Sequence, residues 1–224
     1  MEIKNIIFDI GGVLADPKSG HWFITPNFWN IIDEYSINEE ELKNSLKKYQ
    51  YLHTQEPKTE KEEYNMFTDY YYQVLEDINY EGNNKELAKR IADDCVYNDE
   101  KFIFYEDVKE SLKDLAKKYN LFIISDGWPS SIRVLNNVGI NDLFKDILIS
   151  SLFSTSKAEN LFNVFLERNK DIKPEESIYI DDRRHILNKA HEFNFNLLLM
   201  DRKNEKPETE YQIINNINDI LKYL

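Results

Sequence analysis

Five short apolar runs along this chain each stop at an aspartate or a serine, and that pattern decides most of what the chain can become. The runs are Ile6-Ile7-Phe8 before Asp9, Leu121 to Ile124 before Ser125, Ile147-Leu148-Ile149 before Ser150, Ile178-Tyr179-Ile180 before Asp181, and Leu197 to Met200 before Asp201. Each is too short for a buried helix and rich in β-favouring residues, so each reads as a strand buried on both faces. Helical patterns lie between the later runs. Val108, Leu112, Leu115 and Ala116 form one apolar face, Leu161, Phe162, Phe165 and Leu166 a second, and Leu187 and Ala190 belong to a third. Pro129 suits the first turn of another helix. Ile213, Ile214, Ile217, Ile220, Leu221 and Leu224 predict a terminal helix. Short apolar strands alternating with helices give an α/β fold with a parallel sheet covered on both faces.

The stretch between the first run and the second breaks this rhythm. Residues 17–23, with Pro17, Ser19 and Gly20, read as a linker, and from about Pro26 to Tyr97 the pattern is helical and charged without a strand. Leu42, Leu46 and Tyr49 recur at helical spacing, as do Met66, Tyr70 and Val74; Thr59 and Glu62 fit a capping box. The expected division is therefore a sheet domain of residues 1–16 plus 104–224 and an inserted all-helical domain of residues 17–103. The insertion is rich in aromatics, and most read as packing; Trp22, Phe23, Phe28 and Trp29 are candidates for lining a pocket. A net charge of −13 argues against nucleic acid or an anionic membrane as partner. Cys95 is the only cysteine, so no disulfide framework or thiolate metal site is available, and its apolar neighbours predict burial. No signal-peptide pattern or membrane-length apolar run is present, which makes a cytoplasmic protein the expectation.

Parallel strands bring their carboxyl ends to one edge, so Asp9, Ser125, Ser150 and the Asp181-Asp182 pair must converge. That edge is where open α/β sheets place their ligands. Gly11 and Gly12, directly after Asp9, let backbone approach a bound group closely. Three carboxylates in one crevice repel one another and raise at least one pKa, unless a divalent cation joins them. Oxygen donors without histidine or cysteine favour magnesium over zinc. Lys157, just ahead of a helix, stands where the helix dipole disfavours a cation, so an anion is expected beside it. Ser125 either caps the following helix or offers a hydroxyl to phosphate.

Asp9-Ile-Gly-Gly-Val-Leu14, a strand ending in Ser125, Lys157, and Asp181-Asp182 resemble, in order, the four motifs of the haloacid dehalogenase superfamily. The resemblance spans essentially the whole chain, including the helical cap inserted after the first motif. It implies a Rossmann-like core, with Asp9 as nucleophile forming an aspartyl-phosphate. It further implies Ser125 and Lys157 as catalytic phosphate holders, Asp126 beside them in substrate binding, and a magnesium ion on Asp9, the Gly11 carbonyl, Asp181 and Asp182. The expected activity is magnesium-dependent hydrolysis of a small phosphorylated metabolite, with specificity set by the cap.

The sequence departs from the family pattern at Gly11, where most phosphatases of the group carry a second aspartate as general acid and base. Such a loss costs about 10²–10⁴-fold, whereas phosphoryl transfer depends mainly on positioning and charge neutralisation. The expectation is a working but slower enzyme. Asp16 and His21 are candidate substitutes, although both read more simply as polar hinge residues. Ala158 replaces the proline usual after the lysine; Arg183 and Arg184 follow the acidic pair, one of them a candidate to face the site, although both read more simply as surface arginines. Two other readings stay open: a catalytically degenerate binding protein, favoured by Gly11, and a metal-independent haloacid dehalogenase, which the paired acids disfavour. Oligomeric state and the particular substrate are not encoded in any recognisable motif.

Overall fold

The structure, a computed structural model, describes residues 2–33, 37–205 and 209–224. The chain divides into two compact units: residues 1–16, 104–127 and 135–224 form one, and residues 17–103 with 128–134 form the other.

The first unit is built on a six-stranded sheet. Its strands are β1 (Asn5–Phe8), β4 (Asn120–Ser125), β5 (Phe144–Ile149), β6 (Ser177–Asp181), β7 (Asn196–Met200) and β8 (Gln212–Ile214), in the order β5-β4-β1-β6-β7-β8. Every pairing in it is parallel. β1 is central and buried throughout, so Ile6, Ile7 and Phe8 face protein on both sides. Helices α5 (Val108–Leu115), α6 (Ser130–Val138), α7 (Leu161–Arg168) and α8 (Arg184–His191) follow strands in the alternation the sequence dictates. Phe162 and Phe165 of α7 pack edge-on against Tyr179 and Phe122 of the sheet. At roughly 1.5–3 kcal/mol for each large apolar side chain fully buried, this interface is a principal source of rigidity beneath the strand ends.

The expected terminal helix is replaced at its start by a strand. Ile213 and Ile214 pair with Leu199 and Met200 at the edge of the sheet. The β-branched pair satisfies either periodicity, and the exposed edge of β7 supplies hydrogen bonds that decide for the strand. Asn216 then opens a 3-10 helix, Ile217–Tyr223, through a reciprocal capping box with Asp219.

The second unit is helical, with α1 (Phe28–Ile31), α2 (Glu39–Lys48), α3 (Glu60–Asp77) and α4 (Asn84–Tyr97). Thr59 and Glu62 form the capping box that starts α3. Tyr70 and Tyr71 are fully buried between the helices, and their hydroxyls donate to the carbonyls of Leu46 and Phe23 at 2.9 and 3.2 Å. Cys95 is half-buried rather than buried. The segment 128–134, which the sequence reading assigns to the sheet domain, groups with this unit for two reasons. Trp128 sits edge-on to Phe67 and Phe23. The buried Glu63 carboxylate accepts the amide and hydroxyl of Ser130 at 2.8 and 2.5 Å. Trp22, Phe23, Phe28 and Trp29 pack against neighbouring rings, and none lines the groove that runs past Asn27, Tyr64, Arg90 and Asp94. A small two-stranded sheet joins β2 (Ala15–Pro17) and β3 (Phe102–Phe104), strands too short to leave a sequence signal.

Candidate active site

At the carboxyl edge of the sheet unit, the strand ends converge as parallel topology requires. Asp9 lies one residue beyond β1, and its amide donates to the Ile180 carbonyl at 3.0 Å, which fixes it beside the end of β6. Its side chain is nearly inaccessible. Burial pushes the Asp9 carboxyl up to about 6; Lys157 and the Ser125 hydroxyl pull against that rise, and the charge of Asp181 adds to it. Oδ1 of Asp9 is buried with no hydrogen-bond partner among the described residues. A bare carboxylate oxygen at that depth is costly unless a ligand completes it.

Lys157 is completely buried, and its ammonium lies 2.8 Å from Asp9 Oδ2 and 2.6 Å from Asp181 Oδ2. Burial works against its charge, but the two carboxylates more than reverse the effect and hold it above the usual lysine range. The anion expected beside this lysine is therefore a pair of protein carboxylates. Asp181 is the hub. Burial alone would raise its pKa, yet Lys157, with the Tyr179 hydroxyl and Arg183, brings it below the ordinary value. Oδ2 accepts from Lys157 and, at 2.6 Å, from Tyr179; Oδ1 accepts the Arg183 amide at 2.9 Å and faces its Nε at 3.7 Å. Three hydrogen bonds therefore occupy three of the roughly four lone-pair sites of this carboxylate.

The turn after Asp9 is closed by backbone. The Ile10 carbonyl accepts from Leu14 and Ala15, and Gly12 N–H donates to the Ala15 carbonyl. Gly12 has φ of +67°, and a Cβ added there would fall 2.7 Å from Asp182 Cγ. Only glycine therefore fits, because the Asp182 carboxylate lies directly over it. The Gly11 carbonyl accepts no hydrogen bond among the described residues. Carboxylate oxygens of Asp9, Asp181 and Asp182 all lie within 4.8 Å of one another.

Ser125 closes β4, buried beside Asp9. Ser150 braces the same loop from behind, accepting the Gly127 amide at 3.1 Å. Asp126 has both oxygens engaged by protein: Oδ1 accepts the Lys157 amide at 2.9 Å and Oδ2 accepts Arg183 Nη2 at 3.0 Å. Arg183 is thus not a free surface arginine. Its position immediately after two acids, on the edge that also carries Asp126, was the available signal. Asp16 lies beside the Tyr105 hydroxyl, and His21 Nδ1 accepts the Phe23 amide within its own turn, which gives both polar groups local surroundings.

A sequence model of the haloacid dehalogenase-like hydrolases matches residues 6–200. The chain belongs to that family. No curated protein matches it in sequence. Among solved structures, this haloacid dehalogenase-like hydrolase is similar to YfnB from Bacillus subtilis, described as a HAD-hydrolase bound to magnesium. The TM-score is 0.73 at 14% identity over 100% of this chain and 99% of that one. The HAD phosphatase from Thermococcus onnurineus aligns with a TM-score of 0.66 at 15% identity, covering 99% of this chain and 97% of its own. The L-2-haloacid dehalogenase from Xanthobacter autotrophicus gives 0.70 at 16% identity, over 98% of this chain and 97% of its own. These likenesses establish the shared fold. No helix among the described residues is long and apolar enough to cross a membrane.

Proposed function

We propose that the protein is a magnesium-dependent phosphomonoesterase acting on a small phosphorylated metabolite in the cytoplasm, with Asp9 as nucleophile. The observation that carries this reading is the charge balance of the crevice. Carboxylate oxygens of Asp9, Asp181 and Asp182 gather within 4.8 Å of one another, beside a buried Asp9 oxygen that has no hydrogen-bond donor among the described residues, and this concentration of negative charge exceeds what Lys157 alone offsets between Asp9 and Asp181. A divalent cation offsets that excess, whereas a metal-free nucleophile attacking carbon has no use for it. The donors fit magnesium, being carboxylate and carbonyl oxygens only. Asp9, the Gly11 carbonyl and Asp182 would hold the ion. Asp181, with three of its lone-pair sites already taken by protein donors, orients Lys157 and would leave the metal chiefly to Asp182. When bound, magnesium neutralises developing charge on the phosphoryl oxygens.

Asp9 attacks phosphorus as the ester P–O bond breaks, giving an aspartyl-phosphate and an alkoxide that takes a proton from solvent. Water then attacks the phosphorus, inorganic phosphate departs and Asp9 is regenerated. Ser125 and Lys157 supply donors to the transferring group from fixed positions, so little reorganisation is required. Gly11 supplies no proton, so leaving groups of low basicity are favoured. Turnover of p-nitrophenyl phosphate tests the reading because that leaving group scarcely needs an acid. Magnesium-dependent hydrolysis abolished by Asp9→Asn is expected; absence of turnover, or turnover that survives Asp9→Asn, overturns it. Metal binding without turnover would favour the binding-protein reading that Gly11 supports.

A further inference from the structure

Lys157 must present its ammonium between Asp9 and Asp181, yet it lies in irregular chain between the 3-10 turn Ser150–Phe153 and α7. No ladder or helix fixes its height. Its backbone amide is instead held by Asp126 Oδ1 at 2.9 Å. The other oxygen of the same carboxylate is held by Arg183 at 3.0 Å, and Arg183 is in turn tied to Asp181 through its amide at 2.9 Å. One carboxylate therefore links three loops that carry the site: the turn after β4, the Lys157 loop and the turn after β6. An ordinary exposed ion pair contributes little. This one is only partly exposed, with side-chain accessibilities of 38% for Arg183 and 29% for Asp126; the Asp126 carboxylate also accepts the Lys157 amide, and the backbone amide of Arg183 donates to Asp181.

We infer that Asp126 and Arg183 form a positioning pair that sets the height of Lys157 for the phosphoryl transfer assigned above to Asp9. Arg183 fixes the orientation of the Asp126 carboxylate, the carboxylate fixes the Lys157 amide, and the ammonium is thereby held where the transferring group must pass. Asp126 acts through this pair, each of its oxygens already held by a protein donor. The inference rests on the phosphatase reading only for its kinetic consequence; the mechanical link stands or falls by itself.

The test combines amide hydrogen exchange at Lys157 with steady-state kinetics on p-nitrophenyl phosphate in the full chain, for wild type, Arg183→Gln and Arg183→Lys. Losing a charge-assisted hydrogen bond corresponds to about 10- to 100-fold. In Arg183→Gln the Lys157 amide is expected to exchange about tenfold faster or more. kcat should fall by about 10- to 100-fold with KM altered less than about threefold, the split that marks loss of an interaction made in the transition state. Arg183→Lys, which keeps the charge but loses the planar fork, should recover part of both effects. Unchanged exchange at Lys157 in Arg183→Gln overturns the link. Faster exchange with unchanged kcat shows that the link exists but positions nothing, and overturns the inference as well. Faster exchange in a protein whose wild type hydrolyses no phosphate ester would leave the link standing and remove the phosphatase reading instead.

Discussion

Gly12→Ala is the sharpest perturbation that the site geometry offers, because two separable effects meet at one atom. The added Cβ would lie 2.7 Å from Asp182 Cγ and 2.8 Å from its Oδ2, so the carboxylate must retreat by about 0.7 Å to reach ordinary contact at 3.4 Å. The positive φ of +67° costs an L-residue a further ~1–2 kcal/mol. Stability should therefore fall by about 1–3 kcal/mol, and displacement of a metal-holding carboxylate should weaken magnesium binding about 10–100-fold. Gly20→Ala separates the terms: its φ is +80°, and nothing lies within 4 Å of the added atom. That variant should show only the backbone cost and retain wild-type magnesium affinity. Calorimetric titration with magnesium, paired with thermal unfolding in chelator, reads both quantities. A Gly12→Ala protein that binds magnesium within about twofold of wild type refutes the placement of Asp182 as a ligand over that glycine.

Other consequences follow from the same buried charges. Lys157→Met strands Asp9 and Asp181 without their cation, a change that costs about 3–5 kcal/mol in buried pairs. Saturating magnesium should restore much of that loss by mass action, and a deficit in unfolding temperature equal with and without the ion would contradict this. Because the Asp9 pKa is raised from 3.8 to about 6, its contribution to stability is complete below pH 3.8 and is lost as pH rises through 6. In chelator, Asp9→Asn should therefore stabilise the protein more at pH 7 than at pH 4, by up to about 3 kcal/mol; a pH-independent difference would refute the sign. For Asp181, held below its ordinary value, stability is instead present above pH 3.8 and lost as pH falls through its lowered folded-state value. Asp182→Asn should weaken magnesium affinity with little loss of fold, while Asp181→Asn should reduce stability first. The reverse order, read by titration and unfolding, would exchange their roles.

What the sequence made legible follows from how strongly each feature is determined locally. Asp9, Ser125 and Asp181 each end an uninterrupted apolar run, and parallel strands leave no freedom about which edge those ends share. Lys157 was legible through its oddity, a cation ahead of a helix, although its anions turn out to be protein carboxylates. Arg183 was not, because whether an arginine after an acidic pair points to solvent or back into the crevice depends on the turn from β6 into α8. Ile213 and Ile214 fit helix and strand periodicity equally well, and only the vacant edge of β7 chose between them. Residues 128–134 follow a sheet strand in sequence but are claimed by Phe67 and Glu63, contacts with no short-range trace.

The most direct measurement is the covalent state of Asp9 in acid-quenched protein after brief exposure to p-nitrophenyl phosphate and magnesium, read by peptide mass spectrometry. A phosphoryl group on Asp9, absent in chelator and absent in Asp9→Asn, is the result this account predicts. Steady turnover with Asp9 unmodified, or halide released from a 2-haloacid in the presence of chelator, would contradict it.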